Sequence, residues 1–276
     1  MTAPALRDLA HDQLVVLVRE VFLAGHLIDR AGMPSLLGHV STDVMAEVAI
    51  EEWRGASPVY TRRMQRLLGF QGDDVATVFK GMQLDIGAPP QFLDFRYTVH
   101  DRDHGEFRLA HCGALMDVEP MGEELVHAMC HTIEDPTFPA TACATNPRAV
   151  TSPIHRPPRT PEALALGPEH PHCHWRLDID EANDPAPEPT EAVRLATTLA
   201  AGVPLPVIDD PGAGRVDYSG PLEDDVDFAA FSPGALAAMV DEASLQGHLL
   251  VLSFLASAAE RLGPELAMEL GRAQLT

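Results

Sequence analysis

Aromatic side chains make up only 5% of this 276-residue chain, and 19 basic residues face 41 acidic ones. The first scarcity leaves the core to Leu, Val, Ala and Met. The second gives a formal charge of −22, a field that repels phosphate backbones and anionic lipid heads. Neither nucleic acid nor a membrane is an expected partner. No run of 18 apolar residues appears, and the most apolar stretch, residues 249–255, is too short to span a bilayer. No charged segment at the start leads into an apolar stretch, so a cytoplasmic location is expected, with thiols that are free or metal-bound rather than paired. Cysteines number only four, at 112, 130, 143 and 173. There is no Gly-rich phosphate loop, no nucleophile elbow and no CxxC, so nucleotide cofactors are not indicated.

What is present is a 46% hydrophobic chain, enough for one large domain or two modest ones. Leu14, Val15, Val18, Val21 and Phe22 recur at helical spacing, and a helix from there should end at Gly32 and Pro34. Further helices are expected over 42–54, 58–68 and 73–82, the last capped by Asp73 or Asp74. Then the period drops to two. Phe95, Tyr97 and Val99 alternate with polar residues, as do Phe107, Leu109 and His111, around a turn-rich loop at 101–105. This is a hairpin signal. A helix over 122–133, strands over 151–155 and 172–179, a proline-rich loop between those strands and a helix over 189–201 follow. The tail from 233 reads as helix, broken at Gly263-Pro264. The expected class is α+β: N-terminal helices, an antiparallel sheet with a packed helix, and a C-terminal helical extension. Residues 1–180 would carry the chemistry, 181–232 would be an acidic, Pro/Gly-rich linker region, and 233–276 the extension. Its stripe Leu245, Leu249, Leu252, Leu255, Ala259 and Leu262 must pack on the domain itself or across a homodimer.

Nine of the thirteen histidines and all four cysteines fall between His100 and His174. Sulfur and imidazole gathered this way suggest a transition-metal site or a reactive thiol. His127, His131 and Glu134, spaced by four and three, share one face of a regular helix. A metal pair with a general base fits that spacing, though a polar surface face fits it equally. In a strand, His172 and His174 point one way while Cys173 and Trp175 point the other. His155 lies in Pro153-Ile154-His155-Arg156-Pro157-Pro158-Arg159, where prolines hold the backbone. Arg156 and Arg159 suit a substrate carboxylate, or an ion pair with one of the many acids. Cys143 sits alone and reads as a small core residue. Cys112, Cys130 and Cys173 each adjoin a histidine, which can activate a thiol.

The order Cys112, Cys130 with an acid soon after, Asn146-Pro147, then His172-Cys173-His174-Trp175-Arg176 resembles the L-2-amino-thiazoline-4-carboxylic acid hydrolase-like family. It is similar, more distantly, to the vinyl-reductase-type small-molecule-binding domains. Their last strand reads roughly Cys-acid-Phe-Arg-Phe. Cys173 takes the cysteine position, His174 the acid and Trp175 the first aromatic. Trp53, Leu67 to Phe70 and the hairpin fit the upstream layout, so the likeness covers about residues 48–179. The extra histidines, the His-Arg-Pro-Pro-Arg segment and the helical tail depart from it. The resemblance implies an α+β small-molecule domain that opens a C–N or C–S bond by hydrolysis.

Three functions follow. The first is a metal-dependent hydrolase or lyase acting on a small carboxylated molecule. Zinc or iron would be held by His131, His155 and one or both of His172 and His174 with help from Cys112, with Glu134 as general base and Arg156 or Arg159 on the substrate anion. The second is a metal-free cysteine hydrolase in which Cys130 or Cys173 attacks. The third is a non-catalytic sensor that binds a metal or a ligand.

Overall fold

The computed structural model describes residues 5–166, 170–208 and 212–275. Helices α1 (His11–Leu37), α2 (Thr42–Leu67) and α3 (Val75–Gln83) precede a hairpin of β1 (Leu93–Val99) and β2 (His104–Cys112). Then come α4 (Gly113–Val118), α5 (Glu123–His127), a π-helical turn (Ala128–Ile133) and α6 (Glu134–Cys143). Strands β3 (Ala149–His155) and β4 (Cys173–Ile179) flank the short α7 (Pro161–Ala165). Helices α8 (Thr190–Ala196), α9 (Pro233–Leu262) and α10 (Pro264–Gln274) follow. The class is α+β, with an antiparallel sheet in the order β1-β2-β4-β3.

Alternation decides which sheet face is the core. Phe95, Phe107, Leu109, Trp175 and Leu177 are buried against α3 and α6. Phe107 and Trp175 stack at 6.2 Å, and Phe138 of α6 meets each edge-on at 5.0 Å. Such pairs contribute about 0.5–1.5 kcal/mol beyond the area they bury. Asp101 Oδ1 closes the hairpin by accepting from the backbone N–H of Asp103 and of His104, both at 2.9 Å. Asp74, not Asp73, caps α3 by accepting from Thr77 N at 2.8 Å.

The remaining helices form a bundle beside the sheet. Leu249 and Leu250 of α9 are fully buried in one core with Leu14 and Val18 of α1 and Tyr60 and Met64 of α2. Of the tail's stripe, Leu249 is buried, and Leu245, Leu252, Leu255, Ala259 and Leu262 pack half-buried against the cores of this chain. Helix α9 is long and apolar enough to cross a membrane by composition, yet 67% of its most apolar window is buried here. Arg63 of α2 donates to both oxygens of Glu242 on α9, at 2.9 and 2.6 Å, a pair shielded from water.

Several boundaries differ from the sequence reading. Helix α1 runs past Gly32 and Pro34. Gly32 is there for close approach: a Cβ would lie 2.3 Å from the Gln274 side-chain amide of α10. Pro34 costs little so near the helix end, where Gly38 N–H already turns back to Leu36 and Pro34 carbonyls. Helix α2 is continuous through Gly55 and Pro58, because packing on α9 outweighs local propensity. A Cβ at Gly55 would meet Ser253 Oγ at 2.2 Å. Helix α8 stops at Ala196, where the Thr197 and Thr198 hydroxyls take the Arg194 and Leu195 carbonyls at 2.7 Å.

The acidic stretch after β4 is tied down rather than free. Tyr218 is buried, its N–H donates to Leu68 O, and its hydroxyl donates to Gln83. Lys80 Nζ donates to the carbonyls of Tyr218 and Gly220. Arg215 pairs with Glu223 and lies 3.9 Å above the Phe231 ring.

Candidate functional site

A cavity of about 110 Å³ lies among α1, α2, the π turn, α6 and the inner face of the sheet. Its wall is mainly apolar, with a few polar groups. Three come from α1: His26, Asp29 and Arg30. They interrupt the stripe Leu14, Val18, Phe22, Met33 on the buried side of that helix. Asp85 enters after α3, Glu134 at the start of α6, and Cys112, Cys130 and Cys173 from β2, the π turn and β4.

The acids differ in how they are held. Asp85 Oδ1 accepts from the Tyr60 hydroxyl at 2.7 Å and from Gly87 N–H at 2.6 Å. No donor to Oδ2 is present among the described residues. Burial raises this carboxyl to about 6, and the two donors hold it below where burial alone would put it. Among the described residues Glu134 has only a marginal donor, Thr137 Oγ1 at 3.5 Å. Burial pushes it up to about 8. Its side chain keeps some accessible surface although it lies deep in the protein, as expected of a group facing an internal space. Asp29 accepts from Trp53 Nε1 at 3.1 Å, and burial raises its pKa against the pull of Arg30. His26, packed between Trp53 and Phe92, is lowered by burial to about 3 and stays neutral. Arg30 makes one hydrogen bond among the described residues, from Nε to Asp117 at 3.3 Å.

Behind Asp29, Glu52 of α2 is fully buried. Burial, then the Asp29 charge, keep it protonated, and the nearby Gln274 amide eases this only slightly. Among the described residues neither Glu52 oxygen has a hydrogen bond of normal geometry.

The three cavity thiols are all held protonated. Burial pushes Cys112 up to about 12 and raises Cys130 and Cys173 as well, with the Glu134 charge adding to each. Cys112 Sγ also accepts from Leu115 N at 3.3 Å and so caps α4. All four cysteines are free.

The expected metal set, Cys112, His131, His155, His172 and His174, is dispersed. Among the described residues no group of three His, Cys, Asp or Glu is placed to hold a metal ion. The alternation of β4 is the reason. Cys173 and Trp175 turn to the cavity, so His174 turns to the other face, where it pairs with Glu106 at 2.8 Å. His155, opposite His174 in register, joins it there. His172 does line the cavity, but its Nδ1 accepts from Cys112 N at 3.0 Å. Its proton then sits on Nε2, so Arg159 Nη1 at 3.3 Å is a close approach of two donors. His131 donates to Pro157 O at 2.5 Å and stacks on His127 at 4.5 Å. The π turn adds a residue to the helix, so His131 and Glu134 no longer share a face.

The two expected substrate arginines are already paired. Arg156 holds Asp135, and Arg159 grips both oxygens of Glu119, one at 2.8 Å. Of the expected catalytic residues, Glu134 and Cys130 both line the cavity. His26, Asp29, Arg30 and Asp85 were not singled out from sequence. The signal on α1 was legible: polar residues at i, i+3 and i+4 on the apolar face of a helix, inside a run otherwise free of charge from Val21 to Leu37.

No family model matches the chain, and no curated protein or solved structure matches it. The likeness drawn from the cysteine order stands on those residues alone.

Proposed function

We propose that the chain is a hydrolase or lyase that takes a small carboxylated molecule into this cavity. Glu134 is the general acid, Asp85 the general base and Arg30 the carboxylate anchor. One observation carries the reading. Two carboxyls with separated proton affinities, about 8 for Glu134 and about 6 for Asp85, line the same apolar space. At neutral pH that leaves one donor and one acceptor, the division of labour acid–base catalysis needs.

For hydrolysis, Asp85 Oδ2 takes a proton from water while the water oxygen bonds to the substrate carbon. The C–N or C–S bond breaks, and Glu134 gives its proton to the departing nitrogen or sulfur. The protonated thiols weigh against Cys130 as nucleophile. Among the described residues no three His, Cys, Asp or Glu are placed to hold zinc or iron, so the roles here are assigned without a metal. Four unpaired cysteines suit a reducing compartment such as the cytoplasm.

A second reading, a non-catalytic binding domain, is favoured by the fixed state of Asp85, whose Oδ1 is already doubly engaged. Turnover decides between them. The protein is incubated with 2-aminothiazoline-4-carboxylate and a panel of small carboxylated lactams, and products are read by mass as the gain of one water. Loss of turnover by about 10²-fold or more in Glu134→Gln and Asp85→Asn supports the acid–base assignment. Turnover that survives both substitutions overturns it. A compound that raises the melting temperature but is recovered unchanged favours the binding domain.

A further inference from the structure

His172 meets two donors and can accept from only one. The backbone N–H of Cys112 reaches its Nδ1 at 3.0 Å, and Arg159 Nη1 stands 3.3 Å from its Nε2. A neutral imidazole carries a hydrogen on one nitrogen and a free lone pair on the other, so the shorter bond fixes the lone pair on Nδ1 and the hydrogen on Nε2. Burial and the Arg159 charge lower the pKa of His172, which keeps the ring neutral. Arg159 spends Nε and Nη2 on Glu119, and Nη1 is left over. Two N–H groups therefore stand side by side, and among the described residues neither has an acceptor. His172 lines the cavity, so the pair belongs to its wall. An oxygen about 2.9 Å from each nitrogen would accept from both with neither side chain moved.

We propose that His172 Nε2–H and Arg159 Nη1–H form a second acid-binding point of the cavity, and that the ligand is a dicarboxylate. The inference rests on the reading above, in which Arg30 holds one carboxylate. Arg30 gives only Nε to Asp117, so both of its Nη groups remain for that carboxylate. Asp117 and Glu119, the acids that hold Arg30 and Arg159, are two residues apart in the chain. Both guanidinium charges also act on the Cys112 thiol, so the two anchors stand near one another. The wall carried by the same segments is apolar, with Ala114 and Leu115 from α4 and Pro157 just before Arg159. The stretch between the two acids is therefore hydrocarbon. A carboxylate suits the second point better than a phosphate. Glu119 already offsets the Arg159 charge, and two N–H groups match one oxygen rather than a doubly charged group. It also suits better than a neutral carbonyl, because an ionised acceptor makes the shorter and stronger bond to each donor.

Succinate, glutarate and adipate are titrated into the protein at pH 7.5 by calorimetry, each beside its monomethyl ester, which keeps one carboxylate and loses the other. At least one diacid should bind about 10-fold or more tightly than its half-ester. In His172→Asn the amide oxygen can still accept from Cys112 N–H, but the Nε2–H is gone. Diacid and half-ester should then bind alike. The readout is a ratio within one variant, so a general loss of folding or of the Arg30 contact cancels from it. Arg159→Lys, which keeps a charge for Glu119, should lower the ratio as well. In the unsubstituted protein the Nε2 ¹⁵N signal of His172 should move with the diacid and not with the half-ester. A diacid and half-ester that bind alike in that protein overturn the second point and leave Arg30 standing as a carboxylate anchor. A preference that survives both substitutions also overturns it. Absence of binding by every acid overturns the second point and the Arg30 anchor together.

Discussion

The Tyr60 hydroxyl donates to Asp85 Oδ1 at 2.7 Å across a boundary that joins the helical bundle to the cavity wall. The bond favours the charged form of Asp85, and burial opposes it. Tyr60→Phe removes the donor without changing the ring. The Asp85 carboxyl should then titrate above about 6, moving the acid limb of any activity profile to higher pH. A ¹³C carboxyl titration checks it, and an unchanged Asp85 would show that Gly87 N–H alone sets its state. The lost bond to a charged acceptor should cost about 1.5–3 kcal/mol.

The cavity thiols should be slow. With burial holding Cys112, Cys130 and Cys173 protonated, iodoacetamide at pH 7.5 should label them much more slowly than it labels the same chain in urea. Peptide mass spectrometry reads each site. Rapid labelling of Cys130 in the folded protein would revive it as a nucleophile.

Glu134 and His26 bend the stability curve in opposite directions. Glu134 is raised from 4.5 to about 8 on folding. Between those values the folded state holds a proton that the unfolded chain has released. Its contribution is complete below pH 4.5 and is lost as pH rises to about 8. His26 is lowered from 6.5 to about 3. Here the unfolded chain holds the extra proton, so stability falls as pH drops from 6.5 towards 3. Glu134→Gln should flatten the alkaline side of a urea-midpoint profile, and His26→Phe the acid side. Parallel curves for wild type and variants would contradict these shifts.

Gly25 of α1 tests the bundle. A Cβ there would sit 2.6 Å from Ile86 Cγ2, while a Cβ at the facing Gly247 of α9 would lie at an ordinary 3.6 Å from Gly25 Cα. Gly25→Ala should destabilise by about 1–3 kcal/mol as overpacking does. Gly247→Ala should be nearly neutral or gain from its helix propensity. Chemical denaturation of both variants checks the contrast.

The periodicities of two and near 3.6 placed the hairpin, the bundle helices and the tail, because burial on one face writes itself into composition. Gly32 and Pro34 misled as a helix end, and Gly55 lies in the gap expected between the helices over 42–54 and 58–68. The meaning of both glycines is tertiary: Gln274 and Ser253 come close from helices more than 190 residues away in sequence. The cysteine–histidine segment did locate one wall of the cavity. It hid the other wall, since His26, Asp29, Arg30 and Asp85 lie far upstream. It also merged two opposite faces of one sheet into a single site, because adjacent letters in a strand are opposite in space.

The π turn at Ala128–Ile133 takes up one extra residue between two stretches of α-helix. The helix before and after such a turn stays in phase, so deleting one residue such as Met129 should restore the regular ladder and leave Glu134 on the cavity wall. What moves is inside the turn: His131 would come back onto the face of Glu134, and Cys130 would be presented differently to the cavity. A homologue one residue shorter here would keep the wall that Glu134 builds and change only what the turn itself offers.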